Sequence, residues 1–152
     1  MTDALVLTAK AWESLTAAGK AALPREVGGL LLGHFDKEGP RVTDAVVVPD
    51  PRATRIRYRR DAAAAARILD GRIDSDATGL LGYLGEWHTH PLPLGPSGRD
   101  EYSILRLAED GGHDVTLLVL ALGTHGWTLH ARQGTPAGTV HNIRARAEGR
   151  LT

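Results

Sequence analysis

Three consecutive leucines, Leu30 to Leu32, sit inside the stretch EVGGLLLG that runs from Glu26 to Gly33. A strand with one face in water alternates apolar and polar residues, and this run does not. It therefore predicts a strand buried on both faces. Val115 to Leu122, VTLLVLAL, is a second strongly apolar strand.

The segments around them alternate in type. Leu5 to Leu7 reads as a short strand. Thr8 can cap a helix that places Trp12, Leu15 and Ala22 near one face and stops at Pro24. Val42 to Val48 reads as a strand, ended by Pro49 and Pro51. Asp61 can cap an alanine-rich helix to about Asp74, with Ile68, Leu69 and Ile73 as its apolar stripe. Leu80 to His90 is a further strand and Pro91 to Pro96 a rigid loop. Ser97 starts a helix that runs to about Asp110 and stops at Gly111 and Gly112. Trp127 to Ala131 suits a hairpin partner for the 115–122 strand across Gly123 and Gly126. Val140, Ile143 and Ala147 fall at helical spacing, so the last segment is expected to be a helix. Strands and helices interleave, yet some neighbouring strands are joined by short turns. The expected class is α/β: a mixed β-sheet flanked by helices, in one domain over residues 1–152.

Composition removes several functions. Eighteen Lys and Arg residues balance eighteen Asp and Glu. Neither nucleic acid nor a membrane surface is then an expected partner. Cysteine is absent. That excludes disulfides, thiolate zinc sites, iron–sulfur clusters, thiol nucleophiles and the Pro-Cys-x-x-Cys zinc deaminases. A metal here must sit on His, Asp or Glu. The opening MTDALVLTAK shows no basic n-region, and no stretch approaches ~18 apolar residues. A cytoplasmic location is the expectation.

The stretch GEWHTHPLPLGPSGRD, Gly85 to Asp100, carries the chemistry. Side chains two apart on a strand share a face, so His88 and His90 point one way and Trp87 and Thr89 the other. Two imidazoles at a strand end form a natural ligand pair for zinc, and read alternatively as exposed or packed against a carbonyl. Asp100, ten residues after His90 and in the first turn of the next helix, can converge on the same ion. Two nitrogens and one oxygen would leave the fourth position for water, the open arrangement of a catalytic zinc. Ser97 and Asp100 read equally as a capping box, and that role competes for the Asp100 carboxylate. Glu86 shares the face of His88, but the strand direction carries it away from the loop. Glu26, at the start of the leucine strand, is a candidate general base or simply an exposed strand end.

Glu26 with Val27-Gly28-Gly29-Leu30-Leu31-Leu32-Gly33, followed by His88-Thr89-His90-Pro91, Ser97 and Asp100, resembles the JAMM (JAB, MPN-plus) metalloproteases. Gly-Gly after the Glu, and Gly-Glu-Trp-His up to the first ligand, are common in the bacterial branch. The resemblance runs from about Leu5 to Leu129. The gap from His90 to Ser97 is one residue shorter than in eukaryotic members, within a loop holding Pro91, Pro93 and Pro96. The resemblance implies the MPN/JAB fold, with its cytidine-deaminase-like architecture. It implies one Zn²⁺ per chain, held by His88, His90 and Asp100, with Glu26 as general base and Ser97 as the oxyanion donor. The implied substrate is a peptide or isopeptide bond after the C-terminal glycines of a ubiquitin-like protein. Processing of a sulfur-carrier protein is the alternative enzyme reading, and a metal-free MPN scaffold is the third. The sequence leaves the oligomeric state open.

Residues 52–60 hold five arginines, Arg52, Arg55, Arg57, Arg59 and Arg60. They read either as a solvated loop or as a partner-binding edge. His34, His113, His125, His130 and His141 match no site pattern and are expected to be structural or surface residues.

Overall fold

In the computed structural model, which describes residues 4–149, the leucine run forms the strand β2 (Gly28–Phe35). The first three residues, part of the stretch searched for a leader, and both ends of the 1–152 span lie outside the described residues. The other elements, in chain order around β2, are β1 (Ala4–Leu7), α1 (Ala9–Ala22), β3 (Pro40–Val47), α2 (Ala62–Asp74), β4 (Gly82–His90), α3 (Gly98–Gly111), β5 (Val115–Gly123), β6 (Gly126–Gly134) and β7 (Val140–Ala147). Thr8, Asp61 and Ser97 cap the three helices as expected, each accepting a backbone N–H three residues on.

Leu30, Leu31 and Leu32 are all fully buried because the sheet is covered on both faces. Leu31 joins Leu5, Leu15 of α1, Trp87, Leu118 and Leu120 in one cluster. Leu30 and Leu32 face the other way, against Ala65, Ile68 and Leu69 of α2. On that second face Leu117 and Val119 of β5 pack against Ile104 and Ala108 of α3. The expected mixed sheet flanked by helices is therefore observed. Its order is β1-β3-β2-β4-β5-β6-β7, with β1 parallel to β3 and β7, β4 parallel to β5, and the other pairs antiparallel.

One element is corrected. Residues 140–147 form β7, not a helix. Val140, Ile143 and Ala147 suit a helical period, but Ile143, Ala145 and Ala147 also alternate, and those three pack on the α1-side cluster. A segment this short fits both periods. The free edges of β6 and β1 decide between them: β7 pairs with both and closes the sheet into a barrel.

The topology fixes where chemistry can sit. Trp87 and Thr89 point to the α1 side and are buried. Glu86, His88 and His90 point to the side covered by α2 and α3. His88 and His90 therefore emerge at the C-terminal end of β4, between the loop that leads into α2 and the start of α3. Among the described residues no helix is long and apolar enough to cross a membrane.

Candidate metal centre

The Nε2 atoms of His88 and His90 lie 3.2 Å apart. Asp100, in the first turn of α3, places Oδ1 3.3 Å from His88 Nε2 and Oδ2 3.4 Å from His90 Nε2. In a regular tetrahedron the ligand–ligand edge is about 1.63 times the metal–ligand distance. For zinc at ~2.0–2.1 Å that edge is ~3.3–3.4 Å. The three contacts match that edge in length, with the two carboxylate oxygens of Asp100 each facing one imidazole. His90 Nδ1 lies 2.7 Å from the Leu94 carbonyl oxygen. A carbonyl only accepts, so Nδ1 carries a proton, and Nε2 is the ring nitrogen turned toward His88 and Asp100.

The cap at Asp100 is observed, and it does not turn the carboxylate away from the histidines. Asp100 Oδ2 accepts the Ser97 N–H at 2.8 Å, and Ser97 Oγ accepts the Asp100 N–H at 3.1 Å, a complete capping box. The same carboxylate keeps lone pairs for the histidines, because an ionised carboxylate has about four acceptor positions. Ser97 spends an oxygen lone pair on the cap and keeps its hydroxyl hydrogen to donate. Burial pushes the Asp100 carboxyl up, but the hydrogen bonds from His88 and His90 outweigh it, and the group is held far below the usual carboxylate range. The Asp100 hydrogen bond in turn raises His90.

Glu26 is buried, not an exposed strand end, and it lies just before β2. Its carboxylate and the two histidines bring ligand atoms within 4.8 Å of one another. Glu26, His88 and His90 are thus close enough to share a metal ion, and Asp100 faces the same two imidazoles. Burial is the main cause of its raised pKa; Asp100 adds to it, while His88 and His90 oppose it. Gly28 and Gly29 bring it there. A Cβ on Gly29 would lie 1.7 Å from the Val46 carbonyl oxygen, and one on Gly28 would lie 2.5 Å from that of Trp87. Only bare backbone passes between β3 and β4 at this point.

Glu86 does not reach the two histidines and Asp100. It is buried in an ion pair with Arg60 and accepts a hydrogen bond from the Tyr83 hydroxyl at 2.7 Å. Burial pushes its carboxyl up to about 7 against the opposing pull of Arg60 and Tyr83. Tyr58, which the sequence does not single out, and Arg60, known there only as one of the arginine run, flank the site. Tyr58 stacks on His88, with ring centroids 6.5 Å apart and planes 18° apart, and donates its hydroxyl to the Val48 carbonyl. Arg60 ties the same loop to β4. The available signal was a lone tyrosine within the arginine run. The cleft above the site measures about 900 Å³ and is walled by the 55–60 loop on one side and the 91–107 segment on the other.

The solution structure of protein DSY2949 from Desulfitobacterium hafniense superposes with a TM-score of 0.70, covering 97% of this chain and 94% of that one at 24% identity. That likeness establishes the shared fold. A family model of prokaryotic homologs of the JAB domain matches residues 8–140, and the chain belongs to that family. No curated protein sequence matches it.

Proposed function

We propose that the chain is a zinc-dependent peptidase of JAMM type, cleaving a peptide or isopeptide bond after the C-terminal glycines of a ubiquitin-like protein. The observation that carries this is the 3.2–3.4 Å triangle of His88, His90 and Asp100 with a buried carboxylate, Glu26, at its side. His88, His90 and Asp100 would hold the ion. When bound there it supplies a Lewis acid that brings the pKa of water toward ~7.

The chain's own groups do the rest. Glu26 takes a proton from the attacking water and returns it to the leaving nitrogen, a role typically worth ~10²–10⁴ in rate. Its raised pKa fits a group that must both accept and release a proton. The Ser97 hydroxyl donates to the carbonyl oxygen as negative charge develops on it; losing one such donor costs about 10²–10³ elsewhere. A Gly-Gly tail has no side chains to collide with the walls of the cleft.

The test is a mass-spectrometric assay with one equivalent of zinc. One substrate carries Gly-Gly joined to a lysine side chain; the other is a carrier-like peptide with one amino acid after its Gly-Gly end. Release of a free glycine carboxylate by wild type but not by Glu26→Gln supports the proposal, and the preferred substrate separates the isopeptidase reading from carrier processing. No release from either, with zinc bound, sinks it.

A further inference from the structure

The cleft has a one-sided charge. Arg55, Arg57, Arg59, Arg60, Arg99 and Arg106 line it, while its acidic lining residues are Glu26 and Asp100, both already at the histidine pair. The whole chain balances eighteen positive against eighteen negative residues, so this is local segregation.

The arginines on the first rim are held in place. The Glu26 N–H donates to the Thr54 carbonyl at 2.7 Å, the Tyr58 hydroxyl to that of Val48 at 2.7 Å, and the Arg59 N–H to Asp50 at 2.8 Å. Arg60 is engaged by Glu86. Arg55, Arg57, Arg59 and Arg99 are exposed, and among the described residues no ion pair takes them up. The nearby acids are occupied with backbone: Asp50 accepts the N–H groups of Arg52 and Arg59, and Asp61 accepts that of Ala64. Exposed apolar side chains sit among the charges, Ile56 on one rim and Leu92, Leu94 and Tyr102 on the other.

From this we infer that the cleft receives an acidic polypeptide segment, with Asp or Glu residues near the small residues that cross the site. A guanidinium matches a carboxylate in a two-point hydrogen-bonded fork, and rims of one sign select partners and speed their arrival. A segment with Lys or Arg in the same positions is repelled. The isoleucine and leucines between the arginines suit a polypeptide better than a phosphate backbone. The inference rests on the peptidase reading for what is cut, but not for what is bound.

The experiment measures binding, so it does not depend on turnover. Fluorescein-labelled decapeptides ending in Gly-Gly, with acidic, neutral or basic residues before the glycines, are titrated against zinc-supplied Glu26→Gln protein by fluorescence anisotropy. The acidic peptide is expected to bind at least ~10-fold more tightly than the neutral one, and the basic one more weakly than either. The preference should shrink as salt rises. The combined Arg55→Gln, Arg57→Gln, Arg59→Gln variant should lose about 10-fold in affinity for the acidic peptide, whereas Arg144→Gln, exposed on β7, should not. A circular dichroism melt of each variant verifies folding.

Equal binding of the neutral or basic peptide overturns the inference, as does an acidic preference that survives the triple substitution. A single-stranded DNA decamer that binds more tightly than the acidic peptide overturns it in favour of nucleic acid. Acidic-peptide binding by a protein that cuts nothing leaves the inference standing and removes the peptidase reading. Cleavage with no charge preference does the reverse.

Discussion

Replacing Asp100 by alanine removes two things at once: half of the capping box of α3 and one corner of the metal triangle. Ser97→Ala removes the other half of the box and leaves the triangle whole. Each should cost the metal-free protein ~0.5–2 kcal/mol through the lost cap. Zinc should separate them. An ion at 100 times its dissociation constant stabilises the folded state by about 2.7 kcal/mol. For a chain of this length 1 kcal/mol moves the melting temperature by roughly 2–4 °C, so the wild type should gain roughly 5–11 °C. Ser97→Ala should gain as much from its lower starting point. Asp100→Ala should gain under about 2 °C at the same zinc concentration. Differential scanning fluorimetry with and without zinc, against a chelator control, reads all three. An undiminished zinc shift in Asp100→Ala would refute the reasoning and return Asp100 to a helix cap alone.

Other expectations follow from the same geometry. Glu26→Gln should lower turnover on a Gly-Gly substrate by ~10²–10⁴ while leaving thermal stability near that of the wild type, read by steady-state kinetics beside a melt. Gly29→Ala drives a Cβ onto backbone at Val46 and should cost about 3 kcal/mol or more; Gly71→Ala, on α2 with nothing within 4 Å, should gain ~0.5–1 kcal/mol, both read from urea midpoints. Metal-free protein should lose stability as pH rises from about 5 to about 7. His90 is raised, so its contribution is complete below the ordinary histidine value of 6.5 and disappears as pH climbs through the folded value. Glu86, pushed up to about 7 from 4.5, likewise binds more protons folded than unfolded across that window. A urea midpoint that rises over the same range contradicts the assignment. The zinc shift should run the other way, growing with pH as the imidazoles lose their protons.

Much of this was legible in the residues because the strong signals were local. Three caps, one doubly buried strand, a second strongly apolar strand and the shared face of His88 and His90 follow from period and side-chain chemistry, and the structure places each where expected. What was not legible depends on contacts far apart in the chain. β7 was read as a helix because eight residues satisfy two periods, and its strand state depends on pairing with β1, over a hundred residues earlier. The contest between cap and ligand at Asp100 could not be settled from spacing, since both roles put the carboxylate at the same place. Tyr58 and Arg60 lay inside an arginine run whose charge drew the reading, while the stacking on His88 and the pairing with Glu86 appear only once α2 and β4 are brought together.

Two ligand sets are distinguishable at this centre: His88, His90 and Asp100, and the set in which Glu26 replaces Asp100. Zinc per chain, measured by elemental analysis on dialysed wild type, Glu26→Gln and Asp100→Ala, decides between them directly. About one zinc is expected on the first two and little on the third. Zinc retained by Asp100→Ala and lost from Glu26→Gln would make Glu26 a ligand, leave the site without its base and contradict the account.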